Sequence, residues 1–320
     1  MRFLTADYLY PLHRAPLKEG VLKVSKNGLI IDILEDRKLI DPNRLEVFSG
    51  ILCPGFINAH CHLELSHLKG IAQKGAGLLE FISVIQQRGH YSKEKILCAI
   101  EQAEEEMIRN GIVGVGDICN NIDTLSQKKY HKLQYYNFIE TFQIHDDKVR
   151  DSILLAQSIK RKFRKEGHRA TIVPHAPYSV SPILMQEIIN SFDSSDDIIS
   201  IHMQETKSEA ELFQTKRGNL FAWLKTINAS SSIWEKRSKS ADIFKGLEAI
   251  RFLLVHNTYT KKAEPGRHYY CTCPKANLYI ENTLPDYSIF DTDKLCVGTD
   301  SLASNNSLSI LEELKIKSFF

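Results

Sequence analysis

Two patterns of hydrophobic and polar positions divide the chain near residue 52. Before that point, short runs rich in β-branched and aromatic residues are separated by polar turns, at residues 8–10, 20–24 and 29–34. Asn27-Gly28, between the last two runs, is a strong signal for a tight hairpin turn. Residues 1–52 are therefore predicted to form a small antiparallel β unit.

From residue 51 onward, short apolar runs alternate with long amphipathic segments. Residues 92–110 and 149–165 have helical periodicity and are followed by Gly111 and Gly167, which are typical helix stops. Strand–helix alternation with near-continuous apolar strands predicts a parallel sheet covered by helices. The predicted strands are residues 51–62, 112–119, 133–140, 170–175, 198–202, 252–256, 269–273 and 295–299.

Eight parallel strands close a (β/α)8 TIM-like barrel, so the predicted fold class is α/β, with residues 53–320 forming the barrel. The long connection at residues 207–244 is expected to carry helices that shape a pocket. The active site of such a barrel lies at the carboxyl ends of its strands. Polar side chains do follow the predicted strands, at His60, His62, Asp117, His175, His202, Glu205, His256, Asn277 and Asp300.

Four of these side chains are candidate metal ligands. His60 and His62 are two residues apart in a strand, so both imidazoles face one side and can reach one ion. With His202 and Asp300 they form a predicted zinc site of three imidazoles and a carboxylate, with one position left for water. Zinc would lower the pKa of that water toward about 7 and provide a hydroxide nucleophile. Ferrous iron is the alternative, because these ligands suit several divalent ions.

Glu205, three residues after His202, is the candidate general acid/base. Strand parity would turn residue 205 away from residue 202, so the chain must leave the strand by Gln204. His256 is expected to polarise the substrate or to hold the hydroxide by a hydrogen bond.

Structural interpretations compete with these roles. His60 and His62 could be a buried hydrogen-bonded pair, and Asp300 could cap a helix. His175 and His256 could be core histidines with satisfied hydrogen bonds, and Asp117 is interpreted as structural. Glu64 and His67, in the loop after the first strand, could contact substrate or belong to the surface.

Four motifs in order resemble the amidohydrolase superfamily, and most of all its aminohydrolase branch, which includes S-adenosylhomocysteine, guanine and aminodeoxyfutalosine deaminases. The resemblance runs from about residue 1 to the end of the chain. The surroundings of the His60 and Asp300 motifs look most like aminodeoxyfutalosine deaminases. The motifs are Pro54-Gly55-Phe56-Ile57-Asn58-Ala59-His60-Cys61-His62, His175-Ala176-Pro177-Tyr178-Ser179-Val180-Ser181, His202-Met203-Gln204-Glu205 and Gly298-Thr299-Asp300-Ser301.

The resemblance implies a mononuclear metal site, since the fourth strand ends at His175 without the lysine that bridges two metals in some relatives. It implies that metal-bound hydroxide attacks the carbon bearing an amino group. Glu205 would protonate the adjacent ring nitrogen, His256 would contact hydroxide or substrate, and Asp300 would help pass a proton to ammonia. His175 is implied as a substrate contact.

The expected function is deamination of a purine-like or other N-heterocycle, aminodeoxyfutalosine being one candidate substrate. The alternatives are hydrolysis of another C–N or C–Cl bond, or a truncated metal-binding protein without activity. Relatives continue beyond a position equivalent to Phe320. The small β-sandwich begun by residues 1–52 is therefore expected to lack its C-terminal half, which would make this form marginally stable.

Composition adds few constraints. A formal charge of +2 gives no electrostatic reason to expect nucleic acid or an anionic membrane as a partner. The seven scattered cysteines and the lack of an apparent signal peptide or membrane-spanning run favour a cytoplasmic protein. A small-molecule substrate is the expected partner, and a homodimer is an open alternative to a monomer.

Overall fold

The computed structural model describes residues 1–192 and 198–318. The chain divides into two compact units, Met1–Gly55 and Phe56–Phe320. Within the described residues, no helix combines the length and the apolar character needed to cross a lipid bilayer.

The first unit contains short strands in two sheets. The sheet orders are β5-β4-β1-β6 and β3-β2-β7. The predicted hairpin is confirmed, because β4 and β5 pair antiparallel across a turn in which Gly28 has a φ of 82°. The strands are β1 Arg2–Thr5, β2 Tyr8–Leu9, β3 Leu17–Lys18, β4 Val21–Val24, β5 Ile30–Leu34, β6 Leu45–Val47 and β7 Ile51–Leu52.

The second unit has an α/β fold built on two four-stranded parallel sheets. Their orders are β11-β10-β9-β8 and β12-β13-β14-β15, and every neighbouring pair is parallel. The predicted strands of the α/β segment are thus confirmed as parallel strands. They are β8 Phe56–Cys61, β9 Ile112–Cys119, β10 Gln134–Thr141, β11 Arg169–Pro174, β12 Ile198–Met203, β13 Arg251–His256, β14 Tyr269–Thr272 and β15 Leu295–Val297.

One predicted strand is wrong at its start. Residues 51–62 do not form a single strand, because β7 ends at Leu52 and β8 begins at Phe56. Pro54, between them, has no backbone N–H to donate to a strand ladder. The first apolar run therefore contributes to both units.

Backbone hydrogen bonds connect the two parallel sheets at both junctions. His202 N–H donates to His175 O at 2.9 Å, next to the ends of β11 and β12. At the other junction, Thr299 N–H donates to His60 O at 3.0 Å. These bonds join the carboxyl ends of β11 and β12 at one junction and those of β15 and β8 at the other.

Helices follow most of these strands. Ser92 caps α2 by accepting a hydrogen bond from Lys95 N–H, and Gly111 follows the helix with a φ of 74°, as the helix-stop argument predicts. The segment at 207–244 does carry helices, as expected. The helices are α1 Leu78–Gln86, α2 Lys93–Arg109, α3 Leu125–Lys128, α4 Val149–Lys165, α5 Pro182–Asn190, α6 Lys207–Thr215, α7 Gly218–Thr226, α8 Pro274–Ile280 and α9 Ile310–Ser318.

Buried apolar side chains hold the helices against the sheets. The largest such cluster joins both sheets to α4 and α5, and it includes Ile139, Phe163, Ile188 and Phe252. Burial of these side chains stabilises the scaffold by about 1.5–3 kcal/mol for each large side chain. The ligand-type residues at the strand ends are therefore carried by a well-packed framework.

Candidate metal centre and active site

Four buried side chains from three strand ends converge on one point. The Nε2 atom of His62 lies 3.1 Å from Nε2 of His60 and 3.2 Å from Nε2 of His202. Asp300 Oδ1 lies 3.6 Å from His60 Nε2 and 3.4 Å from His62 Nε2. All four residues are buried.

These separations fit a tetrahedral cation. Zinc–nitrogen bonds of about 2.0–2.1 Å place neighbouring ligand atoms of a tetrahedron about 3.3 Å apart. Burial lowers the pKa of His60 to about 4 and that of His62 to about 3, so both rings are neutral near pH 7. Burial opposes the ionised form of Asp300, but the His60 and His62 imidazoles hold its pKa well below the usual range. Neutral imidazoles and an ionised carboxylate are the forms that bind a divalent metal.

Other polar groups orient this cluster. His202 Nδ1 donates to His175 O at 2.9 Å, which turns Nε2 toward the other ligands. Ser304 Oγ donates to Asp300 Oδ2 at 2.5 Å, which leaves Oδ1 facing the histidines. Asn58 joins the strand of His60 to the Asp300 turn, since its amide bonds both Thr299 Oγ1 and Thr299 N–H.

The structure does not support the alternative that Asp300 caps a helix. Asp300 has a φ of 57° and lies outside any helix, and α9 begins only at Ile310. A non-glycine residue in this left-handed region is strained, and such strain concentrates at functional sites. In this conformation the Asp300 carboxylate faces the histidine cluster.

Glu205 and His256 lie beside the cluster. As required by strand parity, β12 ends at Met203, and Gln204 turns the chain with a φ of 47°. Glu205 Oε1 then lies 3.6 Å from His256 Nε2. Burial raises the pKa of Glu205 to about 7, so this carboxyl can gain and lose a proton near neutral pH.

Asn277 fixes the orientation of the His256 ring. Asn277 Oδ1 lies 2.8 Å from His256 Nδ1, while the Asn277 amide N–H donates to His256 O at 3.4 Å. This amide orientation makes Nδ1 the protonated nitrogen and Nε2 an acceptor. Burial lowers the pKa of His256, which keeps the ring neutral.

A cavity of about 420 Å³ opens onto these groups. Its floor is polar, with His62, His202, Glu205, His256 and Asp300. Its walls are largely apolar. Helix α1 supplies a large part of them through one face, whose residues recur every three to four positions. The apolar wall residues include Leu65, Leu78, Phe81, Ile82, Ile85, Phe142, Ile144, Tyr178, Trp223, Leu224 and Ile227.

Of the three expected substrate contacts, only His175 lines this cavity. Glu64 is buried and accepts hydrogen bonds from the backbone N–H groups of Asn120 and Asn121, and burial raises its pKa to about 8. His67 packs on Tyr91, and its Nε2 lies 3.1 Å from Arg88 O. Both lie in the short 3-10 segment Leu63–Leu68, whose residues are all buried, and neither lines the cavity.

Glu140 lines the cavity and was not among the residues selected from the sequence. It is the penultimate residue of β10, so the rule that reactive side chains follow strand ends applies to it as well. Its Oε1 atom lies 3.5 Å from His202 Nδ1. The strand-end position was the signal that could have identified it.

The chain resembles known proteins in sequence and in fold. The Amidohydrolase family matches residues 51–320. An aminodeoxyfutalosine deaminase from a Nitratiruptor species is 26% identical over 284 residues, covering 85% of this chain and 68% of the relative.

Two solved structures share the fold. The crystal structure of Helicobacter pylori aminofutalosine deaminase in complex with methylthio-coformycin has a TM-score of 0.84 and 21% identity, covering 99% of this chain and 81% of the other. A zinc-bound adenosine deaminase from Xanthomonas campestris has a TM-score of 0.71 and 20% identity, covering 99% and 73%. With the family match extending over most of the sequence, this chain belongs to the amidohydrolase family.

Proposed function

We propose that this chain is a metal-dependent hydrolase that deaminates an amino-substituted, purine-like heterocycle. The observation that carries the proposal is the convergence of four ligand atoms, three of them on residues at the polar floor of the cavity that also holds Glu205 and His256. Relatives with deaminase names support the same reaction class. Aminodeoxyfutalosine is the first candidate substrate.

We also infer that the two parallel sheets close into one (β/α)8 barrel. The hydrogen bonds of His202 to His175 and of Thr299 to His60, at the two junctions, support closure. Closure places all eight strand ends around one mouth, where an active site of this fold lies.

His60, His62, His202 and Asp300 would hold one divalent cation, with zinc the first choice and Fe²⁺ the alternative. When bound, such a cation supplies a water molecule of lowered pKa. The donor set fits one ion, since the four ligand atoms lie within 4.8 Å of one another.

The remaining steps belong to the side chains around the cluster. Glu205 accepts the proton that the attacking water loses and transfers it to the ring nitrogen next to the reacting carbon, which its pKa of about 7 permits at neutral pH. His256 Nε2, an acceptor, holds the attacking water in line with the ring. Asp300 assists proton transfer to departing ammonia, and His175 contacts the substrate ring.

The apolar walls contribute by binding and by excluding water. Contacts with Phe81, Ile85 and Trp223 favour a flat, largely apolar ring system, since burial of apolar area is favourable. Exclusion of bulk water strengthens the electrostatic interactions at the polar floor.

The test combines metal analysis with ammonia release from a panel of amino-purine nucleosides that includes aminodeoxyfutalosine. We expect about one metal ion per chain and release of ammonia from at least one nucleoside. Glu205→Gln should keep the metal and lower kcat at least ~100-fold, because proton transfer is lost while the ligands stay in place.

Glu211→Gln is the matched control, because Glu211 is an exposed glutamate six residues further along. It should behave as the wild type. A chain without bound metal, or a Glu205→Gln variant that keeps the full rate, contradicts the proposal.

A further inference from the structure

One carboxylate oxygen in the cavity has no hydrogen-bond donor within the described part of the chain. Glu140 is only 7% exposed, and its Oε2 atom accepts a hydrogen bond from Asn120 Nδ2 at 2.9 Å. Oε1, in contrast, is buried without a partner. A buried polar atom without a donor costs free energy, so such an atom in a cavity points to a ligand that supplies the donor.

The neighbouring histidine does not meet this need. His202 Nδ1 is 3.5 Å from Glu140 Oε1 but only 2.9 Å from His175 O. A neutral imidazole carries one N–H, and the shorter contact to the His175 carbonyl uses it. Glu140 Oε1 therefore keeps an unused acceptor site, in a residue that lines the cavity.

We propose that Glu140 Oε1 accepts a hydrogen bond from a sugar hydroxyl group of the substrate, an inference that rests on the proposed function. Glu140 thereby selects substrates that carry a donor at this place. A phosphate or carboxylate in the same position would meet a like charge and is disfavoured.

The position of the donor follows from the neighbours of Glu140. Ligand-type atoms of Glu140, His175 and His202 lie within 4.8 Å of one another. The donor therefore lies on the part of the substrate next to the reacting ring, and not at the apolar wall formed by α1. A site built to bond one donor discriminates strongly against an analogue that lacks it.

The experiment measures dissociation constants by calorimetry for two matched sets of probes. One set is coformycin and 2′-deoxycoformycin, and the other is inosine, 2′-deoxyinosine and 3′-deoxyinosine, which have no amino group to lose during the titration. The proteins are the metal-loaded wild type, Glu140→Gln and Glu140→Ala. Glu140→Gln keeps an amide oxygen for Asn120 but can place an N–H₂ donor where Oε1 accepts.

Gln143→Leu is the matched control. Gln143 lines the same cavity, but its Nε2 donates to Ser152 Oγ at 3.0 Å and its Oε1 accepts from His145 N–H at 3.1 Å. Both polar atoms of the Gln143 side chain therefore already have a partner within the protein. Its affinities for the probes should stay within about threefold of the wild type.

We expect both Glu140 variants to bind the complete probes about 10- to 100-fold more weakly, the loss expected for a hydrogen bond to a charged group. The wild type should bind one of the deoxy probes more weakly than the corresponding complete probe, and Glu140→Ala should bind the two with equal affinity. Metal content should stay at the wild-type value.

Three results overturn the inference: equal losses for every probe, loss of bound metal in Glu140→Gln, or no binding of any probe to the wild type. Equal losses together with loss of metal would show that Glu140 acts through His202. Ammonia release is recorded separately, so a chain that shows the expected binding pattern without turnover would refute the proposed reaction and keep the role of Glu140.

Discussion

At the residue scale, a buried carboxylate holds the turn that carries Glu205. Glu209 accepts hydrogen bonds from the backbone N–H groups of Gln204 and Glu205. Both are 3.1 Å long, and each of the two carboxylate oxygens accepts one. Gln204 has a φ of 47°, a conformation that costs a non-glycine residue about 1–2 kcal/mol. The two hydrogen bonds offset that strain and hold the Glu205 side chain toward the cavity.

Glu209→Ala should therefore lower kcat at least ~10-fold while the bound metal is retained. The turn loses both acceptors and relaxes, so Glu205 spends less time in position. Steady-state ammonia release together with metal analysis measures this. Glu209→Gln keeps one acceptor oxygen and should fall between the wild type and Glu209→Ala, and an unchanged kcat in Glu209→Ala would refute the positioning role.

The residue scale also shows where sequence reasoning succeeds and where it does not. His202 follows from its position at the end of a predicted strand, and His60 and His62 follow from strand periodicity, because a strand fixes the direction of each side chain within two residues. The predicted departure of the chain from β12 at Gln204 follows from the same rule. Glu64 and His67 lie past the end of β8, where a 3-10 segment turns both side chains inward, and no strand rule describes that segment.

At the element scale, β8 and β9 lie so close together that there is no room for an extra methyl group at Gly116 of β9. A Cβ added to Gly116 would lie 2.4 Å from Ala59 O, next to His60. A Cβ added to Gly114, two residues earlier on the same strand, would have its nearest neighbour at an ordinary 3.7 Å. The two glycines therefore form a matched pair.

Gly116→Ala should lower the free energy of unfolding by about 1–3 kcal/mol, as overpacking does, and weaken metal binding by displacing β8. Gly114→Ala should stay close to the wild type in both properties. Urea denaturation and metal titration of the two variants measure the difference. If the two variants have the same free energy of unfolding and the same metal affinity, β8 can shift at no measurable cost and the prediction is wrong.

Parallel strand pairing at this scale was predictable from the alternation of apolar runs and helical segments. The close approach at Gly116 was not, because it depends on a register shift between β8 and β9 around residues 58–61. Such a shift comes from tertiary packing and leaves no pattern in the local sequence.

At the scale of the whole molecule, buried carboxyl groups make stability depend on pH. Glu313, on α9, is fully buried and accepts hydrogen bonds from Lys275 N–H and Asn305 Nδ2 at 2.8 and 2.7 Å. Burial raises its pKa to about 7. The folded chain therefore holds a proton there that the unfolded chain releases near its usual pKa of 4.5.

The stability that this proton contributes is fully present below about pH 4.5 and is lost as pH rises through about 7. In the wild type, Glu313 should lower the free energy of unfolding by on the order of 2–3 kcal/mol between pH 5 and pH 8. Glu313→Gln should lack this part of the decrease. Urea denaturation of the metal-free chains at both pH values measures it. Glu312→Gln, at the exposed neighbour, should keep the wild-type pH dependence, and identical curves for the two variants would refute the assignment.

The metal ligands and the cavity wall differ in their freedom to change. His60 lies between β9 and the Gly298 segment, where an added Cβ would come within 2.8 Å of the His60 backbone. The wall formed by α1, in contrast, is made of side chains from a single helix. Laboratory evolution toward a new substrate can therefore randomise Phe81, Ile82 and Ile85 while the strands stay unaltered, so that new specificity is sought without risking the reaction itself.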